Sequence, residues 1–504
     1  MKRCVALLLA LLAAAGMTAC SEQQPAPEEK TSVSAEETPR IEDETVPEEE
    51  AEPTPASIIG EQFADLDFGG REFRILGIEP GQQFYAFMGP DFQEIFAEGY
   101  TGEITNDAIY DRNSRAEELL NIKVVPVLEG SSANQNKRFA QAVTAGSDDF
   151  DASLSGLSST GEPLQAGYLA NLETFENLNI DSPWWDENFV DTFRLFGDRL
   201  YFLSGDYQLA DDYAVCPIYF NKVIVADAGL EQPYELVREG RWTIDEMYKL
   251  EKACERDLNG DGVLDMKNDI VSHIENFDKV KHFVYAFNEK SIEIDENGEF
   301  MINTLSERHV NAVERIFEYG YEKKLIYTDQ TGTSYDEAFT TGHAVSYLMN
   351  LGNINLFRDM ADDFGIVPGP KYDEEQKTYG NYISNYVVTS FVCPVTATDR
   401  AFIGACIEAL GAFSTETVDA ALYDTLLASK LVRDEETIEM LHICMATKVY
   451  DWAVDFSWGN TYANAYNSQY DSGTFNFVSM ATKNLKIQQK TMEKLIETIR
   501  AFQE

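Results

Sequence analysis

The stretch whose reading decides the fold is RLYFLSGDYQLADDYAVCPIYFNKVIVADAGLEQPYELVREGRWTIDE, from Arg199 to Glu246. Leu200 to Ser204 reads as a strand, Gly205-Asp206 as a turn, and Tyr213 to Phe220 as a second apolar run. A helix-like segment then ends at Gly229, Pro233 follows, and another helix starts at Trp242-Thr243-Ile244-Asp245-Glu246. Thr243 can cap that helix and Glu246, three positions on, can reach back to it. Nothing in the stretch resembles a nucleophile, a metal cage or a phosphate loop. With mixed α/β patterning on both sides, it reads as a passage from one lobe to another.

Working outward, Arg71 to Gly77 (REFRILG) is a first strand, followed by the loop Glu79-Pro80-Gly81. Asn106 to Leu120 has helical periodicity, with Ile109, Ala116, Leu119 and Leu120 apolar. Ile122 to Val127 is a β-branched strand, Phe139 to Ala145 a short helix, and Phe150 to Leu154 a strand leading into Ser155-Gly156-Leu157-Ser158-Ser159. On the other side, Met247 to Arg256 and Val310 to Tyr319 are helical. Ala344 to Leu348 is a strand running into Met349-Asn350-Leu351-Gly352-Asn353, and Phe364 to Val367 is closed by Pro368-Gly369-Pro370. A β-rich run, Tyr386 to Phe391, precedes the helical stretch Arg400 to Phe413. Two final helices, Glu435 to Val449 and Lys483 to Phe502, flank an aromatic, polar loop. Strands alternating with helices predict an α/β fold with mainly parallel, doubly wound sheets, whose ligands collect beyond the carboxyl ends of strands.

The chain has 504 residues, more than one compact core accommodates, so two lobes are expected. Hydrophobic residues make up 44% and aromatic residues 12%, enough to build a globular body. Against 39 Lys and Arg stand 87 Asp and Glu, a formal charge of -48. That excess argues against nucleic acid, whose phosphates need a basic face, and disfavours anionic ligands. A neutral sugar or a cation stays compatible.

At the N-terminus, Lys2 and Arg3 precede an apolar run, Val5 to Ala15, that is short for a membrane span. Gly16-Met17-Thr18-Ala19-Cys20 follows, which resembles the cleavage site of a bacterial lipoprotein, with Met17 where Leu is usual. Residues 1–19 are therefore expected to be a signal peptide and Cys20 the lipidated residue, the lipid being the sole membrane attachment. Residues 20–60 are rich in Glu, Pro, Thr, Ser and Ala and are expected to form an acidic, disordered linker. Beyond Cys4 and Cys20, the scattered Cys216, Cys254, Cys393, Cys406 and Cys444 form neither a disulfide framework nor a zinc motif. The five histidines, His273, His282, His309, His343 and His442, show no spaced pair, so zinc and His-based catalysis find no support.

A set of short motifs occurs in order along the chain: Asp67-Phe68-Gly69-Gly70-Arg71-Glu72-Phe73-Arg74-Ile75-Leu76, Asn106-Asp107-Ala108-Ile109-Tyr110-Asp111-Arg112-Asn113, Pro183-Trp184-Trp185-Asp186 and Tyr219-Phe220-Asn221-Lys222. Gly229-Leu230-x-x-Pro233, Trp242-Thr243-x-Asp245-Glu246 and Gly365-Ile366-Val367-Pro368-x-Pro370-Lys371 complete it. With the lipoprotein start and acidic linker, this order resembles the extracellular solute-binding lipoproteins of bacterial ABC importers, the group that includes maltose-type carbohydrate binders. The resemblance implies a two-lobed periplasmic-binding-protein fold with a multi-strand hinge: lobe 1 from 61–205 and 380–428, lobe 2 from 206–379 and 429–504. It also implies ligand capture by hinge closure, no catalytic residues, an ABC permease as partner, a monomer, and an extracytoplasmic location.

Sugars are held by aromatic faces and by Asp, Asn and Glu hydrogen-bonding to hydroxyls. On that chemistry the candidates are Ser158 and Ser159 in the first lobe and Asp206 and Tyr207 at the crossing. Asn350 and Asn353 come from the second lobe, Tyr382 and Asn385 from the return, and Trp452, Trp458, Asn460 and Tyr462 from the late loop. Each residue type also serves core packing and turns. Trp242 is expected to be a structural anchor.

Asp257-Leu258-Asn259-Gly260-Asp261-Gly262-Val263-Leu264-Asp265 matches the first nine positions of a calcium loop. Oxygen ligands would come from Asp257, Asn259, Asp261, the Val263 carbonyl and Asp265. Position 12 is Asn268 rather than a bidentate Glu, and the next residue, Asp269, is the candidate to replace it. A metal-free Asx/Gly turn is the alternative; calcium here would be structural. Two other function classes stay open: a surface glycoside hydrolase, which needs two carboxylates facing one cleft, and an adhesive lipoprotein without a closing cleft.

Overall fold

The computed structural model describes residues 53–501 apart from 83–91, 276–278, 296, 329–331, 429–433 and 456–459. The lipidation candidate Cys20 and the ligand candidate Trp458 fall outside the described residues. In chain order the strands are Arg71–Ile78 (β1), Ile122–Glu129 (β2), Ala152–Gly156 (β3), Ile218–Asn221 (β4), Val271–Ile274 (β5), Ile292–Ile294 (β6) and Phe300–Ile302 (β7). Ile326–Tyr327 (β8), Ala344–Leu348 (β9), Phe364–Val367 (β10), Asn381–Tyr382 (β11), Thr389–Val392 (β12) and Lys448–Val449 (β13) follow.

Two main sheets result. The first has the order β12-β3-β1-β2 and the second β10-β4-β9-β5-β8. The Ile75-Leu76-Gly77-Ile78 half of β1 is fully buried because parallel neighbours flank it on both sides. Beside it, the helix Ile104–Leu120 starts where the Glu103 carboxylate accepts the Thr105 and Asn106 N–H groups. It stops at Asn121, whose φ of 48° lies in the left-handed region. Its buried stripe is Ala108, Ile109, Arg112, Ala116 and Leu120, at helical spacing.

The sheets are parallel except for one strand in each. In the first, β12 runs antiparallel to β3; in the second, β4 runs antiparallel to both β9 and β10. Both reversed strands are the first to follow a crossing between the sheets. The other strands end at the side where the chain crosses, so a strand entering from that side must run the opposite way.

The crossing itself differs from the predicted pair of strands. Leu203 makes a single bridge to Phe391, and residues 200–204 form no longer ladder. The apolar run Tyr213 to Phe220 splits into the end of a short helix, Leu209–Ala214, and β4. Pro217 explains the break: it carries no N–H for a ladder and holds Cys216 extended. The Trp242 expectation is met. Trp242 is buried and donates its indole N–H to Pro368 O at 2.9 Å, while Thr243 Oγ1 accepts the Glu246 N–H.

The final helices do not lie against the second sheet's side alone. Phe477–Ala501 has 25 residues, about 37 Å at 1.5 Å per residue. It begins beside Tyr466 and His309 and ends with Thr498 near Gln165 and Arg500 paired to Glu299. Arg400–Thr425 is long and apolar enough to cross a membrane, yet 83% of its apolar window is buried within the fold. Phe402, near its start, sits edge-on to Phe68 and Phe73. Cys216, Cys254, Cys393, Cys406 and Cys444 are buried, and none of these five is in a disulfide.

Candidate functional site

Three chain segments, 203–218, 379–389 and 447–452, run side by side between the sheets. Leu203 and Phe391 exchange backbone hydrogen bonds of 3.1 and 2.8 Å, and Ser204 Oγ donates to Thr389 O. Further along, Cys216 N–H reaches Tyr382 O and Ser384 N–H reaches Ala214 O, each at 2.9 Å. β11 and β13 then pair in parallel, and Asn381 Nδ2 donates to Thr447 Oγ1 at 2.7 Å. The loop after β9 joins the bundle through Leu351 N–H to Val215 O at 2.8 Å, and the turn after β3 through Leu157 N–H to Val388 O, also 2.8 Å.

Charge locks the last of these segments to the first. Lys448 Nζ lies 2.9 Å from both Asp211 Oδ2 and Asp212 Oδ1, and 3.5 Å from Asp186 Oδ2. Asp186 also caps the helix Glu187–Phe193 and accepts the Tyr450 hydroxyl at 2.9 Å. Lys448 and Asp211 expose 7% and 1% of their side chains, so this ammonium is held almost wholly by protein carboxylates. Burial works against its charge, but Asp211 and Asp212 outweigh burial and raise its pKa well above that of a free lysine. The acids outnumber the lysine. Burial, then the neighbouring carboxylates, raise Asp206 well above the usual range and push Asp419 up to about 7. Thr415 Oγ1 contacts Asp206 Oδ2 at 2.5 Å from a π-helical turn, Thr415–Asp419, that also carries Asp419.

The predicted ligand residues fall into groups. Ser158 and Ser159 are half-buried in the turn Leu157–Ser159 at the carboxyl end of β3, and Ser159 O accepts from Asn136 Nδ2. Asn350 and Asn353 are half-buried after β9 and bonded to each other at 2.5 Å. Asp206 is half-buried and turned toward Thr415.

Tyr207 and Tyr382 must be corrected. Tyr207 is sealed between the Arg112 guanidinium, 4.0 Å from its ring centre, and Phe391 at 4.5 Å. Tyr382 is covered by Tyr285 and by the Lys281 ammonium, 4.8 Å above its ring. Neither ring offers a face to a ligand, because each fills a crossing segment that the packed bundle encloses. Asn385 is buried on the return. Trp452 is buried among Phe193, Phe202 and Phe300, and its indole N–H donates to Thr192 O at 2.7 Å. The backbone of Asn460 and Tyr462 lies in the helix Asn460–Ser472.

A cavity of about 420 Å³ flanks the hinge, lined among others by Asn188, Thr192, Lys290, Tyr379, Lys448 and Trp452. Of the candidates predicted from sequence, Trp452 alone is on its wall among the described residues. The residues that sequence reasoning missed are Lys448 and its carboxylates. Their only signal was an Asp-Asp pair in an otherwise apolar stretch, and the lysine lies more than two hundred positions away.

The Asp257–Asp269 loop folds on itself. Asp257 accepts the N–H groups of Gly260 (2.6 Å) and Gly262 (2.8 Å), Asn259 that of Asp261, and Asp261 that of Val263. Asp269 is corrected as a calcium ligand: it is buried, and its two oxygens instead close the loop by accepting the Leu258 and Asp265 N–H groups. A different group converges instead. The ligand-capable atoms of His273, Glu275 and His282 lie within 4.8 Å of one another, although their sequence spacing showed no pair.

Two mixed sheets joined by three hinge segments, with strand ends and loops gathered at the hinge, define the two-lobed periplasmic-binding-protein fold. No family model matches the sequence, and no curated protein matches it. Solved structures do. The sugar-binding protein MalE from the phytopathogen Xanthomonas citri superposes with a TM-score of 0.56 at 13% identity, covering 86% of this chain and 100% of that one. A cyclo/maltodextrin-binding protein complexed with maltotetraose gives 0.53 at 13% identity, over 86% of this chain and 99% of the other. UgpB from Mycobacterium tuberculosis in complex with glycerophosphocholine gives 0.50 at 15% identity, over 79% and 98%. At these identities what is shared is the fold.

Replacing Lys448 with Met leaves buried carboxylates without a cation, and should cost about 3–5 kcal/mol in denaturant unfolding; a loss under about 1 kcal/mol would show that the hinge does not rest on this ion cluster. The raised carboxyls also set a pH dependence. An acid whose folded pKa is raised stabilises fully below its unfolded value, near 3.8, and loses that contribution as pH climbs through about 7 for Asp419. The melting temperature should fall between pH 6 and 8, and fall less in Asp419→Asn. Burial lowers His273 and His309 and acts in the opposite sense below about 6.5, but cancels in the comparison. Identical slopes for the two proteins would refute the assignment.

Proposed function

We propose that this chain is the substrate-binding receptor of an ABC importer, capturing a small carbohydrate between its two lobes and delivering it to a membrane permease. The observation that carries this reading is the hinge. Three segments join two sheets, and the polar turns after β3 and β9 are both tied to them by backbone hydrogen bonds. Ser158 and Ser159 on one side, and Asn350 and Asn353 on the other, supply neutral donors and acceptors suited to hydroxyl groups. The charge of -48 fits a neutral ligand better than an anionic one. The neighbours of like fold include a sugar-binding protein and a maltodextrin-binding protein. The mechanism is binding alone: closure buries the solute, and the closed form docks on the permease. A lipid on Cys20, the acidic linker, an extracytoplasmic location and a monomeric state complete the proposal.

A panel of mono- and oligosaccharides, amino acids and glycerophosphodiesters, read by thermal shift and by product analysis, tests it. One sugar class should raise the melting temperature with no product formed, and Ser159→Ala and Asn353→Ala should each weaken its binding about tenfold. Turnover would favour the hydrolase, and no shift with any compound would refute the receptor. The hinge cavity supports a second reading, in which the solute sits against Thr192 and Tyr379. Thr192→Trp would fill that space, and loss of binding there with none in Asn353→Ala would move the site.

Calcium in the Asp257–Asp265 loop belongs to the same proposal as a structural ion. Asp257, Asn259, Asp261, Val263 O and Asp265 would hold it, with Asp269 shaping the loop from within. Calcium added to chelator-treated protein should raise the melting temperature in wild type and not in Asp257→Asn; equal behaviour of the two would assign the loop to metal-free turns.

A further inference from the structure

His273 lies near the carboxyl end of β5, and Glu275 directly follows the strand, two residues on. The helix Lys281–Ala286 brings His282 against them. His273 Nε2 and His282 Nδ1 each lie 3.5 Å from the same oxygen, Glu275 Oε2. That separation is too long for a good hydrogen bond. It is, however, the spacing of ligand atoms around one small cation. Tetrahedral zinc with bonds of about 2.0–2.2 Å sets neighbouring ligand atoms roughly 3.3–3.6 Å apart.

Burial makes the arrangement costly without an ion. His273, Glu275 and His282 are 0%, 1% and 0% exposed. Among the described residues, His273 Nε2, both His282 nitrogens and both Glu275 oxygens have no hydrogen-bond partner. Five unsatisfied buried polar atoms on three neighbouring side chains, with His273 Nε2, His282 Nδ1 and Glu275 Oε2 turned toward one another, are a conspicuous exception to the rule that such atoms are satisfied.

The surroundings orient the ligands. Ser346 stands opposite His273 on β9 and donates its hydroxyl to Glu251 Oε1 at 2.6 Å. Its oxygen is then free to accept from His273 Nδ1, 2.7 Å away. With the proton on Nδ1, Nε2 turns a lone pair toward Glu275. A second hydrogen-bonding shell of this kind is what fixes the tautomer of metal-binding histidines.

We infer that His273, Glu275 and His282 form a zinc site, with two imidazoles and one carboxylate as ligands and water in the fourth position. The site clips the end of β5 to the helix that follows it, inside the second sheet's half of the fold. It is separate from the Asp257–Asp265 loop and independent of the transported solute.

The full-length chain, purified without a polyhistidine tag, is loaded with zinc, desalted and assayed for metal by mass spectrometry. Wild type and Asp257→Asn should each retain one zinc per chain, and Glu275→Gln and His282→Asn almost none. Zinc should raise the melting temperature of wild type and leave Glu275→Gln unmoved. Cobalt in place of zinc should give wild type the intense visible bands of a tetrahedral site. Wild type retaining no more zinc than Glu275→Gln, or giving only the weak cobalt spectrum of an octahedral complex, would overturn the assignment. Both of those readouts need only folded wild-type protein and the isosteric variant, and neither depends on finding a solute.

Discussion

The contact on which the rest of the structure depends joins Lys448 to Asp211, Asp212 and Asp186. It couples the last hinge segment to the first and to the cap of the helix Glu187–Phe193. A lysine taken out of water is stable only if its compensation is complete, and here carboxylates supply it from two directions. Acid is in excess of base at this spot, and burial with the neighbouring carboxylates raises Asp206 and Asp419, so the hinge itself takes up protons.

The hinge also dictates the sheets. Each sheet's reversed strand, β4 or β12, is the one that has just left the hinge, and the remaining strands end there. The turns after β3 and β9 therefore gather at one place, which is why polar residues in those turns are the candidates for holding a solute. Packing at the crossing is tight. A Cβ on Gly205 would fall 2.3 Å from Trp184 O and 2.7 Å from Trp185 Cα, so only glycine lets the chain pass the Trp184-Trp185 segment. Arg112 performs a related task from the first sheet's helix, lying over Tyr207 and donating to Glu94 O at 2.6 Å.

Much of the fold was legible along the chain. β1, β2, β3, β9 and β10 coincide with apolar or β-branched runs bounded by Gly, Pro or Asn, and Thr243 marks a helix start that the structure keeps. Local patterns of this kind report burial periodicity and turn chemistry, which the neighbouring residues largely decide. At residues 213–220 apolar continuity hides a change from helix to strand, and at the C-terminus the helix Phe477–Ala501 reaches from Tyr466 to Gln165. Neither the depth of Tyr207 and Tyr382 nor the span of Phe477–Ala501 is written in local sequence.

By itself, the sequence determined the α/β class, many of the turns and the acidic character, because these follow from composition and short-range spacing. Tertiary structure alone decided which charges meet. Lys448 finds Asp211 across 237 positions, and His282 meets His273 and Glu275 because the end of a strand and the next helix converge on one point. Electrostatics and metal ligation depend on distances of a few ångströms between side chains, and sequence separation carries almost no information about those distances.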